Sequence, residues 1–198
     1  KEYIIIDGTY YAYLYVSGYG YPTQARLAWL SPLVELGDGI SLSFYLNKKR
    51  KEQILQKVSK TTMMNRSRMR DVEDTRADFE EMDDAISSGL YIKEQLNREG
   101  EEFFYMHTLI EVTAEETETL EQRIKQVQNR CASMNMSIRR ADYCHEQCFR
   151  SMLPLCKLNA DIEKKSRRNI LTQGAAGAFP FSSFELCDDK AHLKTPVT

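Results

Sequence analysis

Five cysteines, three histidines and one dense run of cations are the residues of this chain with chemistry to offer. Cys144 and Cys148 stand four apart with His145 and Glu146 between them, so one helix face would carry two thiols. A structural zinc needs four converging ligands, and its usual short knuckle is Cys-x2-Cys. The spacing here is one residue too long, and Cys131, Cys156 and Cys187 do not complete such a pattern. Cys packs as a small hydrophobe more often than it binds metal, so neither a metal nor a cofactor is expected. An odd number of cysteines also cannot form a fully paired intrachain framework. Reduced thiols in a cytosolic setting are the economical reading.

Catalytic patterns are thin. His107 falls in a strand pattern, His145 in a helix pattern and His192 in a polar tail. No Gly-x-Ser-x-Gly elbow or Cys–His signature accompanies them. A phosphate loop needs Gly-x4-Gly-Lys-Ser/Thr, so that backbone amides wrap the phosphates while Lys reaches the terminal group. The nearest segment, Gly174-Ala-Ala-Gly177, lacks the Lys and reads as a flexible turn. No catalytic residue is assigned, and a free-standing small enzyme of unknown class is an alternative reading only.

Lys48, Lys49, Arg50 and Lys51 form the compact cluster with the most to offer, as a contact for nucleic acid or a partner protein. From Lys48 to Arg70 there are nine bases and one acid, and from Asp71 to Asp84 eight acids and one base. Two helices are expected, over roughly 48–68 and 72–98, with a bend near 65–71. Phe79, Met82, Ile86 and Leu90 step along one face of the second. The bland reading of the cluster is a solvated helix balanced by its acidic neighbour in a hairpin.

The elements on either side of this insertion repeat one order. Tyr3–Ile6 and Tyr10–Tyr19 read as strands joined at Asp7-Gly8, with Tyr11, Tyr13 and Tyr15 on one side of the second. That Tyr stripe is expected to pack under a helix or in a protein interface rather than stack on bases. A helix opens at Pro22-Thr23 and should be interrupted at Pro32. Ile40–Leu46 alternates as a half-buried strand. After the insertion, Phe103–Val112 reads as a strand, and Thr113 with Glu116 reads as a capping box. Leu120, Ile124, Val127, Cys131 and Met134 then mark the clearest helix stripe. Met136–Arg139 is a short strand and Ala141–Met152 a helix ended by Leu153-Pro154-Leu155. Two strand–helix–strand halves around a helical insertion predict an α+β fold of the ferredoxin-like kind with extra C-terminal helices. The single domain is expected over 1–187, with the insertion at about 48–98 and a polar tail at 188–198.

Length and composition bound these readings. The 198 residues are 42% hydrophobic and 28% charged, with a formal charge of −2. That excludes collagen-like, low-complexity and disulfide-scaffold classes, and it gives no global argument for nucleic acid or membrane. No apolar run approaches the roughly 20 residues of a membrane span. The chain begins at Lys1 rather than Met, which fits a segment cut from a longer protein.

The motif order resembles the amino-terminal region of the large conjugation and type IV secretion ATPases, the VirB/TraC/TrbE class. Tyr21-Pro22 followed by Trp29-Leu30 is similar to that family's Tyr-Pro…Trp-Leu segment, and Ile40–Leu46 to the strand after it, with Asn47 where Pro is common. Arg140-Ala141…Gln147…Leu153-Pro154-Leu155 is similar to its Arg-Ala…Gln…Leu-Pro stretch. The segment from Gly174 to Leu186, with Phe179-Pro180-Phe181 and Phe184-Glu185-Leu186, is similar to the lead into the ATPase domain. The nearest likeness is to enzymes of Gram-positive conjugative elements. The resemblance implies a RecA-like motor downstream, with its nucleotide motifs beyond Thr198. It also implies a non-catalytic domain at the cytoplasmic face of the membrane, docking secretion-channel proteins, membrane-associated conjugation proteins and neighbouring subunits. Self-association is a further expectation, and a nucleic-acid-binding module using residues 48–70 is the alternative.

Overall fold

The computed structural model describes residues 2–17, 26–71 and 76–179. The chain is α+β, built on one antiparallel sheet. Strand β1 (Ile4–Ile6) turns into β2 (Thr9–Val16) through Asp7-Gly8, whose φ angles of 49° and 83° are the pair of positive values a tight hairpin needs. Then come α1 (Ser31–Val34), β3 (Ile40–Lys49), the helical insertion α2 (Lys51–Asp71) and α3 (Arg76–Arg98), and β4 (Phe103–Ala114). Helix α4 (Thr117–Ser133), β5 (Ile138–Arg140), α5 (His145–Met152), α6 (Ala160–Ser166), β6 (Arg168–Leu171) and α7 (Thr172–Gly177) complete it.

The central strand order is β5-β2-β4-β3, with every neighbouring pair antiparallel. This is the ferredoxin-like order expected of two interleaved strand–helix–strand halves. β1 extends the β5 edge by pairing with the start of β2, and β6 pairs with Phe103–Met106 of β4 beyond the reach of β2. Because side chains alternate along a strand, the ladder sorts them into two layers. Leu14, Val16, Ile110 and Val112 face α1 and α4, where Leu30, Leu33, Leu120, Ile124, Val127 and Cys131 meet them. Tyr13, Tyr15 and Leu109 face the other way, onto Cys148 of α5 and Ile162 of α6. The Tyr stripe therefore packs under helices, as expected.

Several boundaries differ from the sequence reading. The basic segment is not helical from residue 48, because β3 carries its ladder with β4 through Lys49. The helix expected to be interrupted at Pro32 instead begins there: α1 is four residues with Pro in its first turn, where a missing amide is harmless. Thr113 belongs to β4, and Glu116 occupies the start of α4 without a side-chain cap, so no capping box forms. The Ala141–Met152 helix starts only at His145, after a turn in which Tyr143 has positive φ. Gly174–Gly177 forms the body of α7 rather than a turn. Trp29 Nε1 donates to Gly174 O at 3.0 Å, and Trp29 N to Gly177 O at 3.2 Å. Phe44 and Leu46 stay exposed on the face whose Ile40 and Leu42 join the core. Tyr21–Pro22, Thr23, residues 180–187 and the 188–198 tail lie outside the described residues.

Candidate functional site

The insertion is a helical hairpin seated on one end of the sheet. Its helices run 21 and 23 residues, about 31 Å and 35 Å at 1.5 Å per residue. Ile54, Leu55 and Val58 of α2 meet Ile92 and Leu96 of α3, and this root packs on Phe103, Tyr105 and Leu171. Farther out, Thr62 and Ile86 are buried between the helices. Gly89 lets them close: a Cβ there would lie 2.7 Å from Thr62 Oγ1. Met63, Met64, Phe79, Leu90 and Tyr91 remain exposed on the outside. The expected stripe therefore divides. Ile86 turns in, while Phe79 and Leu90 flank the contact, because a two-helix hairpin buries one narrow strip on each partner.

The antiparallel run places charge along the hairpin. Lys51, Lys57 and Lys60 lie toward the root, beside the C-terminal half of α3. In the described part of the outer half, the four acids Glu80, Glu81, Asp83 and Asp84 of α3 stand against the two arginines Arg66 and Arg68 of α2. The basic helix thus pairs with its acidic neighbour in a hairpin, with the basic excess toward the root and the acids toward the outer half of α3.

The four cations singled out by sequence do not form one patch. Lys48 and Lys49 are successive residues of β3 and point to opposite faces. Lys48 pairs with Glu102. Arg50 and Lys51 are exposed at the junction with α2. Lys49 instead joins Lys57 and Arg167 around the ring of Tyr105. Their charged groups lie 5.3, 5.9 and 4.9 Å from its centroid, and Lys57 Nζ donates to Tyr105 Oη at 3.4 Å. Among the described residues no carboxylate forms an ion pair with any of the three. Tyr105 and Lys57 also line a cleft of about 260 Å³ at the hairpin root, with an apolar floor of Ile54, Val58, Ile92 and Phe103 and with Asn169 at its wall. Tyr105 and Arg167 escaped the sequence reading. One is an ordinary strand residue, and the other reaches the site only because β6 pairs with β4.

The two described histidines are both buried. His145 is buried, and its Nδ1 accepts from Tyr13 N at 3.1 Å. Burial first, then the Arg140 charge, pushes it down to about 4, with Asp142 opposing. His107 is fully buried beside Ser166, whose hydroxyl lies 3.0 Å from Nδ1, and burial lowers its pKa too. Neither lines the root cleft or the groove between α1 and α4. His192 lies outside the described residues. Tyr13 Oη donates to Glu111 at 2.7 Å, which ties the Tyr stripe to β4. Cys144 and Cys148 diverge in environment: Cys148 is buried, and its thiol is pushed up to about 12 by that burial, while Cys144 receives a contact from Lys165 Nζ at 3.0 Å. Among the described residues no three of His, Cys, Asp and Glu converge as a metal site would require. Nor is any helix among them long and apolar enough to cross a membrane.

No family model matches the chain, and no curated protein does.

Proposed function

We propose that this chain is a non-catalytic docking and assembly domain of a conjugative DNA-transfer ATPase, working at the cytoplasmic face of the membrane. The observation that carries the docking part is the α2–α3 hairpin, which holds five large apolar side chains in solvent and, among the described residues, packs on the sheet through its root. Exposed apolar residues grouped on one projecting element are what protein partners bury. The conjugation part rests on the motif resemblance, with secretion-channel and membrane-associated conjugation proteins as the partners it implies. A nucleic-acid module is the second reading, favoured only by the Lys49–Lys57–Arg167 cluster.

The test joins two measurements. The purified chain should hydrolyse ATP no faster than a buffer control. In the longer parent, Leu90→Ser with Tyr91→Ser should lower plasmid transfer at least tenfold while ATP hydrolysis stays within twofold. Robust turnover by the chain itself, or undiminished transfer by the variant, would overturn the reading. Salt-sensitive DNA binding lost on Lys57→Gln/Arg167→Gln would favour the second one instead.

A further inference from the structure

The root cleft and the outer end of the hairpin complement each other. The cleft offers room for one large apolar side chain, being smaller than the roughly 300–1,000 Å³ of a drug-sized ligand site. Beside it stand three cations without carboxylate partners among the described residues. An occupant should therefore present an aromatic or aliphatic side chain next to several acids. The chain carries such a segment itself. On α3, Phe79 is 53% exposed, and Glu81, Asp83 and Asp84 follow it in solvent. A hairpin cannot fold its own outer half back onto its root, because each helix is continuous between the two. The acidic end can meet such a cleft only on another molecule.

We propose that the outer end of one molecule's hairpin docks in the root cleft of a second copy. Phe79 enters between the helices, and Asp83, one turn on along the same face, with Asp84 at its edge, meets the cations Lys49, Lys57 and Arg167. The two surfaces differ, so the contacts either pair reciprocally across a twofold axis as a closed dimer or run head-to-tail into a chain or ring. The inference rests on the docking reading and names one partner for it.

The test uses sedimentation velocity on the full chain over a wide concentration range, at low and high salt. The native chain should associate with rising concentration and dissociate in salt. Lys57→Glu/Arg167→Glu removes the cleft's charge, and Phe79→Ser/Asp83→Asn removes the inserting end. Each variant, with its helical circular dichroism retained, should stay monomeric at concentrations at least tenfold above those at which the native chain associates. Mixed one to one, the two variants should form a dimer and nothing larger, because one good cleft then meets one good end. If the charge reversals disturb folding, Lys57→Gln/Arg167→Gln and Phe79→Ala should give the same pattern in weaker form. A native chain that is monomeric at low salt, variants that associate like the native chain, or a mixture that stays monomeric would each overturn the proposal. If the chain stays monomeric while Leu90→Ser/Tyr91→Ser still lowers plasmid transfer, the docking reading stands and this inference alone falls.

Discussion

His145 links backbone and side chain across the molecule. Its Nδ1 receives the amide of Tyr13, in the central strand β2, so the ring must be unprotonated there to accept. An unfolded His takes up its proton near pH 6.5. In the fold that uptake is postponed to about 4. Between those values the unfolded chain binds a proton that the folded chain refuses. Stability contributed by His145 is thus complete above about pH 6.5 and drains away as pH falls toward 4. His107, lowered in the same direction, adds to the trend. Each unit of displacement corresponds to ~1.4 kcal/mol. His145→Asn keeps an acceptor for the Tyr13 amide but removes the titration. Urea melts at about pH 7.5 and about pH 4.5 should show the variant losing ~1–3 kcal/mol less than the native chain across that interval. Equal losses would exclude His145 as the source. At this scale the sequence revealed residue types but not their company. The Lys48–Lys51 run is conspicuous in one dimension, yet strand alternation disperses it. Tyr105 and Arg167 are inconspicuous and become neighbours only through β4–β6 pairing.

Helices show a different balance between what the chain announces and what packing decides. The stripe on α4 is legible because Leu120, Ile124, Val127 and Cys131 recur at helical spacing and all four are buried against the sheet. The hairpin's helical character is equally plain, since α2 lacks both Gly and Pro and α3 holds only Gly89. Which of its apolar residues turn inward is not, because a partner helix covers less of a surface than a sheet does. Leu96 is wholly buried at the root with Ile54 and Phe103, whereas Leu90 is 44% exposed. Leu96→Ala should therefore cost ~2–4 kcal/mol in chemical denaturation, and Leu90→Ala under ~0.5 kcal/mol. Similar costs for the two would mean that the hairpin's outer surface is covered.

For the whole molecule, the order of strands and helices could be read from periodicity, but the sheet's neighbours could not. Hydrophobic spacing is local, whereas β2 meeting β4 joins residues about a hundred positions apart in sequence. The ferredoxin-like order followed only from the principle that two such halves interleave. The four-residue β6 escaped because a short alternation without flanking turn signals resembles any loop. The same topology makes the insertion separable. Lys49 and Phe103 are ladder partners at the point where the hairpin leaves the sheet. Replacing residues 51–101 by a short Gly-Asn turn should leave a chain whose strand signal in circular dichroism persists. Its Tm should fall by roughly 5–15 °C, since Phe103 and Tyr105 lose their cover. Complete unfolding at room temperature would show that the sheet depends on the hairpin.

That ladder partnership also bears on the order of events during folding. β3 and β4 form the longest register in the sheet, yet no tight turn joins them. If the insertion were still a coil, closing the first rung would carry the entropy of a long loop. Helix pairs form from local contacts on fast timescales. Once α2 and α3 have met, Lys49 and Phe103 are already side by side, and the strands can zip from the hairpin inward. The arm that lies farthest from the core thus serves as the hinge pin of its assembly. A substitution at the Thr62–Gly89 crossing should slow folding in proportion to the stability it removes and leave the unfolding rate nearly unchanged.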